Sequence, residues 1–118
     1  MPKSTYAINA MLNVLLRDTA YTTPVTVYIG LLNGTTEATG GSYARQSITF
    51  GAPSSGTCTS TNTQTFTNMP AITVDHVGIY DASSAGNQLY NAAVTVSQVV
   101  NAGNTVTIAT GGVTVSEA

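Results

Sequence analysis

The sequence predicts a mostly β fold, a compact antiparallel β-sandwich or barrel carrying one short N-terminal helix. Three observations carry that expectation. Apolar residues recur every three or four positions only near the N-terminus, and from Pro24 onward they alternate with polar residues in short runs. Turn-forming Gly and Asn separate those runs. Several short strands divided by turns can bury their apolar faces only by stacking two sheets or closing one into a barrel. With 118 residues and no apolar run long enough to span a bilayer, the chain reads as one soluble domain, residues 1–118, with no signal peptide.

The helix is predicted over residues 4–17. Ile8, Met11, Leu12, Leu15 and Leu16 fall on one face, Ser4 or Thr5 caps the start, and Arg17 suits the carbonyl end. So short a helix is marginal alone, so its stripe has to be buried somewhere. After Pro24 the period becomes two: Val25, Val27, Ile29 and Leu31 define a strand that Asn33 and Gly34 end in a turn. Residues 35–42 read as a surface loop, 43–50 as a strand with Ile48 and Phe50 on one face, and 51–60 as a second loop. Residues 61–67 are a Thr-rich edge-strand candidate around Phe66, and Pro70 extends the chain before Ile72 and Val74. Val77 and Ile79 mark another strand, closed by a hairpin turn over residues 81–87 and paired with residues 89–96. A turn at Asn101 to Asn104 leads to Val106 and Ile108, and Gly111 and Gly112 precede a last strand with Val113 and Val115.

Charge narrows the function classes. Only 7% of residues are charged, against roughly 25% in ordinary soluble domains. A surface this neutral can be covered without desolvating ions, which favours a subunit of an assembly. With a net charge of −2 and Lys3, Arg17 and Arg45 as its cations, the chain has no basic patch for nucleic acid. The single Cys58 forms no intramolecular disulfide.

Groups able to do chemistry are scarce. Asp75 and His76 are adjacent, but strand neighbours point to opposite faces, so the two are not expected to meet. His76, Cys58, Asp75 and Asp81 have no zinc-ligand spacing, and Asp81 with Asn87 reads as turn chemistry rather than calcium binding. The glycine pairs lack the phosphate-cradle pattern. No catalytic residue, metal or cofactor is expected, and the chain reads as non-enzymatic. The expected interface residues are Leu12 and Leu15 on the helix, with Tyr43 and Arg45. Arg45, a central cation, is expected to pair with Asp75, Asp81 or a neighbouring subunit's carboxylate.

The order of segments carries a resemblance. The helix is followed by Thr19-Ala20-Tyr21-Thr22, Val27-Tyr28-Ile29-Gly30-Leu31, Gly40-Gly41-Ser42-Tyr43-Ala44-Arg45-Gln46 and Phe50-Gly51-Ala52-Pro53. Then come His76-Val77-Gly78-Ile79-Tyr80-Asp81-Ala82, Gly86-Asn87, Leu89-Tyr90 and Ala102-Gly103-Asn104-Thr105. This resembles small tailed-bacteriophage proteins usually labelled phage tail fibre proteins. The resemblance implies a structural protein of the virion and brings no catalytic motif. Small size, low charge and a short helix favour a capsid decoration protein that reinforces the head, partnered by copies of itself and by the major capsid protein. The alternative is a tail fibre or tail-tip module that meets a host surface through loops such as residues 35–42; neither reading calls for a membrane or nucleic-acid partner.

Overall fold

In the computed structural model, which describes residues 3–116, the single helix α1 (Thr5–Arg17) precedes nine strands. These are β1 (Val27–Asn33), β2 (Thr36–Glu37), β3 (Gln46–Ile48), β4 (Thr57–Thr59), β5 (Gln64–Phe66), β6 (Ile72–Tyr80), β7 (Gln88–Val100), β8 (Val106–Ile108) and β9 (Thr114–Ser116). The Ser4 hydroxyl accepts from the Ala7 amide at 3.1 Å to cap the helix. Asp18, in the left-handed region at φ 53°, ends it one residue beyond the expected cation Arg17.

Alternation along β1 organises the rest. Its odd residues Ile29 and Leu31 enter the core, and both of its edges are paired, all antiparallel. One edge takes β6, with Tyr28 opposite Tyr80 and Leu32 opposite His76. The other is shared by β3, against Val27 to Ile29, and β2, against Leu32 and Asn33. Beyond β6 lies β7, which ends the sheet; there Lys3 sits opposite Tyr90 and the Ser4 amide donates to the Leu89 carbonyl at 2.8 Å. Two ribbons, β4 with β9 and β5 with β8, complete the fold. Phe66, Val106 and Ile108 from the second ribbon and Val113 beside the first pack on Ile29, Leu31, Ile48, Val74 and Ile79. The architecture is an open sandwich of antiparallel strands and not a closed barrel.

Several expectations change. Residues 35–42 are not simply a loop: the turn at Asn33 and Gly34 returns the chain as β2, and Ala38 is buried. Residues 57–59 form β4 because β9 pairs with them from far along the chain, a contact local pattern cannot announce. Ile72 and Val74 belong to the same strand as Val77 and Ile79, across a register shift between Val74 and His76, where the extra residues 94–97 of β7 face Asp75. The edge-strand candidate becomes β5, with Gln64 and Phe66 both buried.

One glycine shows how tightly the loops are held. Gly41 has φ 55°, and a Cβ there would run into the backbone carbonyl of Asn68, which already accepts from the Ser42 amide at 2.9 Å. Gly103, at φ 87°, has open space around the same position. Gly41→Ala should cost about 3 kcal/mol, strain and collision together, and Gly103→Ala about 1 kcal/mol, strain alone. Urea denaturation of both variants checks this, and equal losses would mean that Asn68 moves aside freely.

Candidate functional site

The most heavily bonded polar cluster on the described surface begins with two glycines. Gly30 of β1 and Gly78 of β6 lie opposite each other in the sheet, on the face away from the core. Without side chains they leave a shallow trough, and the Tyr80 ring lies in it: a Cβ at Gly30 or Gly78 would stand 3.0 or 2.9 Å from that ring. The Arg45 guanidinium stacks on the exposed side of the ring, 3.5 Å from its centroid. Glu37 then holds the guanidinium in a two-pronged ion pair, Nε to Oε2 at 2.8 Å and Nη2 to Oε1 at 2.9 Å. The remaining nitrogen, Nη1, donates to the Ala82 and Ala85 carbonyls at 3.0 and 2.8 Å. The Arg45 side chain is 9% exposed and that of Glu37 24%.

Tyr43 joins this cluster to the core. Between the stretch of β1 paired with β3 and the stretch paired with β2, the Leu31 amide has no strand opposite it. The Tyr43 hydroxyl fills the gap, accepting from that amide at 3.0 Å and donating to Glu37 Oε2 at 2.7 Å. Its ring stacks on Phe66 at 6.0 Å between centroids. Burial and then the bond to Glu37 push the Tyr43 hydroxyl well above its usual pKa. For Glu37, burial pushes the carboxyl up, but the bonds from Arg45 and Tyr43 together outweigh it and hold it below its ordinary value.

The expected site residues therefore part company. Arg45 pairs with Glu37, not with Asp75 or Asp81, because the β1–β2 hairpin carries Glu37 back alongside it. Asp81 instead holds its own turn, accepting from the Asn87 amide at 2.7 Å and its side-chain amide at 3.1 Å. Tyr43 and Arg45, expected at an interface, spend their polar atoms inside the chain. Asp75 and His76 do meet, His76 Nδ1 lying 2.9 Å from Asp75 Oδ1. The register shift in β6 breaks the strict alternation that would have separated them, and Asp75 Oδ1 also accepts from the Gly34 amide at 2.7 Å. Among the described residues no three His, Cys, Asp or Glu come together as a metal site. Sequence reasoning did not assign Glu37, Tyr80, Gly30 and Gly78 to the site, although a glycine inside an otherwise strong strand is itself a signal of close approach.

The helix presents the opposite situation. Ala7 is its one buried residue, whereas Leu12, Leu15 and Leu16 are 49%, 69% and 76% exposed. The stripe expected to be buried is thus uncovered within the chain. The helix instead turns Ala7, Met11, Val14 and the edge of Leu15 to a groove of about 310 Å³ shared with Tyr21, Leu89 and Tyr90.

Within this antiparallel β body the Glu37–Arg45 pair is largely covered, while the helix leaves apolar side chains exposed. The model of the family described as podophage GP4 fiber I protein gp80 matches residues 2–116, and the chain belongs to that family. It is a structural component of a bacteriophage virion. No curated protein matches the sequence.

The cluster makes a stability prediction. Arg45→Ala leaves Glu37 without its ion partner and uncovers Tyr80, and should cost about 3 kcal/mol; Arg45→Lys keeps the charge but not the fork or the stack, and should recover less than half. Urea denaturation distinguishes these from a loss below about 1 kcal/mol, the range of an exposed pair. Because the folded carboxyl titrates lower than the unfolded one, its contribution is present above 4.5 and is lost as the pH falls through the folded value. Thermal melts should therefore show wild type losing stability below pH 4.5, with Glu37→Gln starting lower and losing less.

Proposed function

We propose that this chain is a subunit of a podophage tail fibre, exposed on the particle and working by packing against other virion chains rather than by catalysis. The observation that carries the fibre reading is the family match across residues 2–116, which favours the fibre over decoration of the head. The non-enzymatic reading is supported by how the ionisable groups are used. Glu37 and Arg45 lock each other and a turn, Asp81 caps the same turn, and Asp75 holds the Gly34 amide while touching His76. Each does a structural task that substrate binding would disrupt.

A subunit with little surface charge suits contact with neighbours that stay in place. Partner recognition then rests on shape and apolar cover, with few ions to strip of water. Copy number per virion tests the assignment. Gel densitometry against the major capsid protein should give a few dozen copies or fewer, and gold-labelled antibody should mark the tail; hundreds of copies spread over the head would restore the decoration reading.

A further inference from the structure

We infer that Asn33 is a latent modification site: its side-chain amide is placed to become an acid through attack by the Gly34 nitrogen, and the Asp75 carboxylate bonded to that nitrogen holds the reaction back. The inference stands whichever part of the virion the chain builds.

No other asparagine in the sequence precedes glycine. The order matters because most residues shield their own backbone nitrogen with a side chain, and glycine has none. In the reaction the Gly34 nitrogen bonds to Asn33 Cγ, and its proton leaves with the side-chain amide group as ammonia. The product is a five-membered imide. Water, the one co-reactant, then adds to either imide carbonyl and breaks its bond to nitrogen. Aspartate results, or isoaspartate, in which the backbone runs through the former side chain.

The turn gives this ring room. Asn33 pairs with Thr36 across a two-residue loop and is exposed, and a Cβ built on Gly34 would meet nothing within 4 Å. What opposes closure is polar. The Gly34 amide donates to Asp75 Oδ1 at 2.7 Å, and the Asn33 side-chain amide donates to the Thr73 carbonyl at 2.8 Å, so β6 holds both reacting groups. Attack requires the nitrogen to shed its proton. A carboxylate this close binds that proton and repels the anion its loss would leave. Asp75 is also a weak base, because the bond from His76 and then that from Gly34 hold its carboxyl below its ordinary range.

Modification would loosen the hairpin. A carboxylate at position 33 faces the Thr73 carbonyl with no hydrogen to offer, in a turn that Asp75 already makes negative. Isoaspartate adds a backbone carbon to the hairpin that carries Glu37 to Arg45.

Peptide mapping by mass spectrometry, on the full chain incubated in mildly alkaline buffer, tests this. Asn101, exposed and followed by Ala102, is the internal reference. In urea, where the guard is gone, Asn33 should lose its amide well before Asn101, and in folded wild type that lead should vanish. Asp75→Ala should speed the loss at Asn33 about tenfold, the worth of one hydrogen bond to a charged group, and leave Asn101 unchanged. A cooperative melt checks that the variant folds. If it does not, Asp75→Asn, which keeps an acceptor without the charge, should still quicken the loss several-fold. An unchanged rate at Asn33 in the folded variant overturns the inference, as does a slower one, which would make Asp75 the base instead of the guard. A lead for Asn33 as large in folded wild type as in urea does the same. Asn33→Asp should lower the urea midpoint and Asn101→Asp should not; equal midpoints would remove the link between modification and a looser hairpin.

Discussion

The Arg45 guanidinium, held between the Glu37 carboxylate and the Tyr80 ring, is the constraint on which one end of this fold depends. Stacking requires Tyr80 to lie flat, and Tyr80 can lie flat only because Gly30 and Gly78 offer no side chains beneath it. Glu37 reaches Arg45 only because the chain reverses at Gly34 to form β2. The turn after β6 has its place because Arg45 Nη1 takes two of its carbonyls. Tyr43 then connects the same carboxylate to a backbone amide that the sheet ladder leaves unpaired. A planar fork with five donors can serve a carboxylate, a ring and a turn together; an ammonium could not.

The outcome divides the molecule by polarity in an unusual direction. In most small domains the charged groups face water and the apolar ones face inward. Here the best-made ion pair is largely covered, and Leu12, Leu15 and Leu16 on α1 are left uncovered. Both follow from a chain with few charges, which spends two of them on internal geometry and leaves the apolar stripe of its helix neutral. For a member of a phage fibre family, a firm body and an apolar projection answer different needs, holding shape and meeting neighbours.

What the sequence made legible was local. The helix and its Ser4 cap, the β1 alternation, the hairpin turn after Asp81 and the valines of the last strands each follow from spacing within a few residues. What stayed hidden depended on chain reversals and distant pairing. Thr57 to Thr59 become a strand only because residues near the C-terminus lie beside them. Arg45 finds Glu37 through a two-residue strand too short to leave a periodic trace. A stripe of apolar residues on a helix declares that something should cover it, but spacing is silent on whether the cover comes from the same chain, and for Leu12 and Leu15 it does not. The expectation that Asp75 and His76 diverge failed for a related reason, since alternation holds only where strand register is unbroken.

The neutrality of the helix stripe also sets how its contacts respond to surroundings. Attraction between ions fades as dissolved salt rises, within a Debye length of about 8 Å at physiological strength, whereas apolar cover carries no charge for salt to screen. A contact made by Ile8, Leu12, Leu15 and Leu16 is therefore nearly indifferent to the difference between fresh water and brine. Its weakness lies elsewhere: the hydrophobic driving force fades on cooling. Such contacts weaken in the cold rather than through the screening of charge.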